Sequence, residues 1–202
     1  MKQGIFEIIE NTALTASVYK MVLGGDVSAI TAPGQFVNIK LEGLYLRRPI
    51  SVCDLGENTL TIIYKAVGKG TEQMAKMAKD ERLDVLTGLG NGYDLSLSGD
   101  KPVLLGGGGG VPPMYLLAKE LLKQGKKVSV ILGFNTKSEV FYEQEFKELG
   151  CDVTVTTVDG SYGTKGFVTT VLEKMDYTYF YTCGPEPMLK AVYKTSETSG
   201  QM

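Results

Sequence analysis

The sequence predicts an antiparallel β domain, a small barrel or sandwich, followed by a parallel-sheet α/β domain. Three observations carry this. Short alternating segments separated by turn signals fill the first hundred residues, strands and helices alternate after Lys101, and a run of five glycines opens the second part. In the first part, 4–10 and 16–23 are apolar with partial alternation, 35–41 alternates cleanly and 60–65 less strictly. The turn signals are Gly24-Gly25-Asp26, Ala32-Pro33-Gly34 and Gly56-Glu57-Asn58. Several short strands at this spacing read as a closed or sandwiched all-β unit. One helix is predicted over 71–79, with Met74, Ala75 and Ala78 as its apolar stripe. Residues 83–86 and a glycine-rich turn, Gly88-Leu89-Gly90-Asn91-Gly92-Tyr93, close the domain.

Beyond a boundary near Ser98-Gly99-Asp100-Lys101-Pro102, segments 102–105, 128–132, 153–157 and 179–182 read as buried strands. Helices are predicted over 114–123, 139–149, 168–175 and 186–195. Such alternation means a parallel sheet with right-handed crossovers and helices on its faces. The domains are therefore 1–98 and 99–202.

Composition narrows the chemistry. The 21 basic and 23 acidic side chains leave a charge of -2, with no basic field for nucleic acid or an anionic membrane. No apolar run approaches the ~20 residues of a membrane span. The chain has no histidine, which excludes a His general base, a Ser-His or Cys-His pair and imidazole metal ligands. Cys53, Cys151 and Cys183 are widely spaced without a C-x-x-C pair, so neither a disulfide scaffold nor a metal site is expected from this chain. The start Met1-Lys2-Gln3-Gly4 runs into a strand without a signal peptide, so a reducing cytoplasm is expected. Glycine is the outlier, 25 of 202 residues, against a usual share of about 7%.

Five of those glycines form Gly106-Gly107-Gly108-Gly109-Gly110, followed by Val111-Pro112-Pro113, between the first parallel strand and a helix. Bare backbone and a helix start suit a phosphate, and prolines fit a first turn. A flexible linker is the bland alternative, but linkers are not bracketed by a buried strand and a proline-started helix. The strict G-x-G-x-x-G fingerprint fails at Val111 and Pro112, and no P-loop Lys-Ser/Thr pair follows. The loop reads as a dinucleotide or phosphate site of a less common pattern. After the second strand, Gly133-Phe134-Asn135-Thr136-Lys137 shows no ribose-reading acid. Lys137 reads as a 2′-phosphate partner or as a solvated lysine, which leaves NAD against NADP open. Cys183-Gly184-Pro185 ends another parallel strand, on the same sheet edge as the glycine loop. Cys183 reads either as a contact for a nicotinamide ring or as a small residue at a strand end.

In the β domain, Arg47 and Arg48 are adjacent in a strand-like stretch, so one points to each face. Arg48 with Ser51 can grip a pyrophosphate or ring edge, or the two arginines are an exposed edge pair. Gly68-Lys69-Gly70-Thr71 reads as a second glycine-rich helix start with Thr71 as N-cap.

In order, Arg48-Pro49-Ile50-Ser51, Gly70-Thr71, the 106–113 loop and Cys183-Gly184-Pro185 resemble the ferredoxin–NADP reductase superfamily. More narrowly, the Arg-Arg-Pro-Ile-Ser run, Gly90-Asn91-Gly92-Tyr93, the glycine loop through Met114 and the stretch from Cys183 to Val192 resemble the electron-transfer subunit of class 1B dihydroorotate dehydrogenase. The resemblance covers the whole chain. It implies a flavin-binding barrel followed by a nucleotide domain, with Arg48, Pro49, Ile50, Ser51, Ile63, Tyr64, Lys65, Gly70 and Thr71 contacting FAD. It implies NAD as acceptor, with Gly107, Gly108, Gly109 and Gly110 admitting its pyrophosphate and Cys183 and Gly184 beside the nicotinamide. The implied partner is an FMN-containing catalytic subunit that oxidises dihydroorotate, in a heterotetramer serving pyrimidine biosynthesis. The family carries a [2Fe-2S] cluster on a later cysteine-rich segment, and those ligands are not in this chain, so FAD without the cluster is expected. A stand-alone NAD(P)H:ferredoxin or flavodoxin reductase would share the fold, commonly with a C-terminal aromatic that 195–202 lacks. A non-redox nucleotide-binding module is the reading from another class.

Overall fold

The computed structural model describes residues 1–199; Gly200, Gln201 and Met202, the end of the predicted polar tail, lie outside the described residues. The chain divides into two compact units, Met1–Tyr93 and Asp94–Met202. Residues 94–98 belong with the second because the Tyr181 hydroxyl donates to Asp94 O (2.8 Å) and the Thr178 hydroxyl to Ser98 O (2.6 Å).

The first unit is a closed antiparallel barrel of β1 (Lys2–Ala13), β2 (Val18–Gly24), β3 (Phe36–Lys40), β4 (Arg48–Leu55), β5 (Thr59–Lys65) and β6 (Arg82–Leu89), in the order β1-β2-β5-β4-β3-β6. β6 pairs back onto β1, so no strand edge is left open. Alternation places Phe6, Ile8, Met21, Leu23, Val37, Ile39 and Ile62 in the interior, each almost wholly buried. A bulge between Ile8 and Glu10 shifts the phase of β1. Asn11, paired with the interior residue Met21, then takes the inward place that strict alternation would give to Glu10. The buried Gln35 ties two turns together: its Oε1 accepts from Thr31 N and Ala32 N, and its Nε2 donates to Gly90 O. Gly88, at φ 68, allows the second turn to pass Ala29 O, which an added Cβ would meet at 2.4 Å.

The predicted helix 71–79 is α1 (Lys69–Ala75), two residues earlier and only seven long. Its N-cap is Gly68, not Thr71. Thr71 lies inside the first turn, where its hydroxyl accepts from Val67 N (3.0 Å) and donates to Gly68 O (3.2 Å). Those bonds close the turn from within, so the residue that looked like a cap is a turn staple.

In the second unit, β7 (Pro102–Gly107), α2 (Val111–Lys123), β8 (Ser129–Phe134), α3 (Glu143–Leu149), β9 (Asp152–Thr157), β10 (Thr164–Lys165), α4 (Val168–Leu172), β11 (Tyr179–Cys183) and α5 (Glu186–Ser199) follow in turn. The five strands are parallel in the order β10-β9-β8-β7-β11. Val103, Leu105 and Ile131 pack with Val168 and Leu172 of α4 and Val192 of α5 on one face. Leu104, opposite in the strand alternation, belongs to the face of α2 and α3. The helix predicted from 139 starts only at Glu143, because Tyr142 holds a left-handed conformation (φ 67) and Lys137–Glu139 forms a separate 3₁₀ turn. α5 runs past the predicted end at 195. No helix among the described residues is long and apolar enough to cross a membrane.

Candidate functional site

In the second unit, successive strands run from β7 to β8, β9 and β10 on one side, while β11 returns to the other side of β7. The strand order therefore reverses at β7, and ligands of open α/β sheets bind outside the carboxyl ends of the strands at such a point. The structure brings Gly107, at the end of β7, and Cys183, at the end of β11, to this edge. The five glycines divide by what a Cβ would meet. At Gly106 it would sit 2.8 Å from Val111 Cα, and at Gly110 2.0 Å from Cys183 O, so these two let α2 and β11 close on the loop. At Gly107 it would strike Met188 Sδ at 2.4 Å. At Gly108 and Gly109 nothing lies within 4 Å. Those two expose bare backbone directly ahead of α2, a thirteen-residue helix with no side-chain cap and no acid in its first turn. Such a helix start accepts an anion, and the cradle fits a dinucleotide pyrophosphate.

Gly184 keeps Gly107 and Cys183 together: its Cβ would lie 2.7 Å from Met188 Cε and 3.3 Å from Gly107 Cα. The Cys183 thiol is unbridged and partly exposed. At the end of β8, the Lys137 ammonium lies over the Tyr162 ring, 5.7 Å from its centroid. The Tyr162 hydroxyl donates to Glu143 Oε2 (2.8 Å), and that carboxylate holds the phenol above its usual range. Glu139 escaped the sequence reading, which sought an acid directly at the strand end. The 3₁₀ turn folds its side chain back so that Oε2 accepts from Asn135 N at 3.1 Å.

In the first unit, the two arginines diverge. Arg47 is structural: Nη1 donates to Asn38 O (3.1 Å) and Asp84 O (3.2 Å), and Nη2 pairs with Asp84 Oδ1 at 3.0 Å. Arg48 begins β4 in register with the interior residue Ile39. Its Nη1 donates to Leu46 O (2.6 Å), and its side chain crosses Gly70 so closely that a Cβ there would lie 2.1 Å from Nε. Among the described residues no carboxylate pairs with Arg48. A guanidinium laid on bare backbone with its charge uncompensated fits an anionic group of a flavin dinucleotide. The Thr71 hydroxyl is taken by its own turn. Ser51 pairs with Phe36 on the face opposite Arg48, and its hydroxyl has no hydrogen bond among the described residues. Pro49 is exposed and Ile50 partly so.

Ile63 and Tyr64 are buried, and Lys65 is exposed. The Tyr64 ring stacks on Tyr19 (5.8 Å) and its hydroxyl donates to Asn11 Oδ1 (2.9 Å). Burial pushes the phenol up to about 12, so it stays a neutral donor. Asn11, like Glu139, was missed: a lone Asn in a strand sequence carries no signal. Cys53 on β4 and Cys151 in the turn between α3 and β9 are both buried, in different units, and burial raises the Cys151 thiol to about 11. Among the described residues no group of three or more Cys, Asp or Glu side chains is placed to hold a metal, so the donor set does not fit an iron–sulfur cluster.

Residues 104–194 match the family model of the oxidoreductase NAD-binding domain. The fold is similar to a NADH-dependent reduced ferredoxin-NADP oxidoreductase (TM-score 0.85, 30% identity, 96% of this chain and 72% of that one). It is also similar to a ferredoxin NADP+ reductase from Neisseria gonorrhoeae (TM-score 0.85, 16% identity, 99% and 92%), a likeness of fold alone. Barrel, switch-point loop and family match define a ferredoxin reductase-like, NAD-dependent oxidoreductase component. Among curated relatives, the dihydroorotate dehydrogenase B (NAD(+)) electron transfer subunit of Fusobacterium nucleatum is 50% identical over 197 residues, covering 91% of this chain and 76% of the relative. That of a Geobacillus species is 44% identical over 202 residues, covering 95% and 78%. The chain belongs to this family of electron transfer subunits.

Proposed function

We propose that the first unit holds FAD and the second NAD, and that the chain passes on to NAD⁺ the electrons of dihydroorotate oxidation. The electrons come from an FMN-containing catalytic subunit, in a heterotetramer serving pyrimidine biosynthesis. The observation that carries the flavin half is Arg48, a guanidinium without a carboxylate resting on Gly70. Bound flavin and nicotinamide supply the electron and hydride chemistry, which suits a chain without histidine. Its own residues bind and orient. Arg48 balances cofactor charge and the unpartnered Ser51 hydroxyl orients the ring system. Gly108 and Gly109 admit a pyrophosphate, Gly107 and Gly110 shape that turn, and Cys183 with Gly184 flanks the nicotinamide. Gly70 supplies the flat floor beneath Arg48, and Thr71 keeps the turn before it closed.

Glu139, brought to the end of β8, supports NAD over NADP, since a carboxylate there reads a ribose 2′-hydroxyl and repels a 2′-phosphate. Three unbridged thiols suit a reducing compartment such as the cytoplasm. The purified protein is expected to show flavin absorption bands and to co-purify with a flavin-containing partner. Arg48→Ala is expected to release most of the flavin on gel filtration. A colourless protein that binds NAD but never FAD overturns the reading in favour of a nucleotide-binding module.

A further inference from the structure

Asn11 sits where the β1 bulge turns it inward, and its amide is almost fully used. Nδ2 donates to Met74 O and Met77 O, both at 2.9 Å, and Oδ1 accepts from the Tyr64 hydroxyl at 2.9 Å. The two carbonyls lie at the last turn of α1 and just beyond it. A seven-residue helix is not stable by itself and takes its position from what it is tied to. Met74 packs it down by full burial, and Gln73 Nε2 adds an exposed bond to Glu42 O at 3.3 Å; neither sets the turn and register of the helix as two bonds to its carbonyls do. At its opposite end, the same helix carries the buried Gly70 under Arg48.

We propose that Asn11 is a positioning residue for the flavin: by gripping α1 from Met74 and Met77, and being gripped by Tyr64, it keeps Gly70 beneath the Arg48 guanidinium. A shift of α1 toward Arg48 drives the Gly70 backbone into the side chain, and a shift away leaves the guanidinium without its floor. Tyr64 therefore acts on the cofactor through Asn11 rather than by side-chain contact. The inference rests on the FAD reading above.

The test is FAD affinity of the flavin-stripped full chain, followed by quenching of flavin fluorescence, in Asn11→Asp, Arg48→Ala and the double variant. Asn11→Asp keeps the volume and the acceptor for Tyr64 but sets a carboxylate against two carbonyl oxygens. It is expected to weaken FAD binding about tenfold, the size of one to two lost buried hydrogen bonds, while NAD binding stays unchanged. The double variant is expected to lose little beyond Arg48→Ala alone, because both act on one platform. Additive losses, or an equal loss of NAD binding, overturn the inference by showing general destabilisation. Unchanged FAD affinity in Asn11→Asp beside a loss in Arg48→Ala overturns it and leaves the FAD reading standing. If Arg48→Ala is also without effect, the FAD reading itself falls. Should Asn11→Asp fail to fold, Tyr64→Phe takes its place in the same cycle, with a smaller loss expected.

Discussion

Arg47 and Arg48 are identical side chains at consecutive positions with opposite fates. Arg47 is three-quarters or more covered and bonded to β3 and β6; its side chain and that of Asp84 are each 21% exposed. An arginine with that many partners holds the barrel together, and its removal leaves Asp84 with Gln3 as its remaining side-chain donor. Arg47→Ala is expected to lower the stability of the first unit by about 1–3 kcal/mol, read as a reduced urea midpoint. In flavin-free protein Arg48→Ala should leave that midpoint nearly unmoved, because its own bonds go only to neighbouring carbonyls, while the stabilisation that added flavin gives the parent chain is lost. The doublet signalled a special place, and strand alternation said that the two would diverge. Which of them had a carboxylate waiting depended on Asp84, thirty-seven residues along the chain.

At the scale of elements, the glycine turn between β7 and α2 shows that one residue type serves two purposes. Gly110 is a packing glycine: a methyl there meets the Cys183 carbonyl and the Gly184 amide, backbone on both counts. Gly109 is the proposed binding glycine, with open space where a methyl would go. Gly110→Ala is expected to destabilise the second unit by several kcal/mol, as overpacking against rigid backbone does, seen as a lower Tm. Gly109→Ala should keep the Tm and raise the KM for NAD, since the methyl occupies the space proposed for phosphate. The strand–turn–helix frame was legible from five glycines and two prolines. Their division into packing and binding positions was not, because it depends on β11, whose strand lies some seventy residues later. α1 tells the same story in reverse. Its glycines advertised a helix start, yet it is only seven residues long and the Thr71 hydroxyl is spent within its own turn.

At the scale of the molecule, each unit carries one buried phenol at about 12: Tyr64 in the barrel and Tyr181 in the sheet, raised chiefly by burial. An unfolded tyrosine ionises near 10. Between pH 10 and 12 the unfolded chain therefore releases protons that the folded chain keeps, and stability falls as pH rises. The stabilisation is complete below pH 10 and is lost through pH 12. Urea midpoints measured across that range are expected to drop, and Tyr64→Phe and Tyr181→Phe should each flatten the slope.

The sequence by itself determined the two-part architecture and the place of the glycine loop. These follow from local rules: period-two alternation, strand–helix spacing and residues that only special backbone tolerates. Only the tertiary structure decided which arginine was spoken for, where Glu139 points, and that Asn11 and Tyr64 grip α1. Each of those outcomes depends on a partner brought close by strand pairing or by a turn that folds back. Hydrogen bonds and ion pairs act over a few ångströms of space, whatever the separation along the chain.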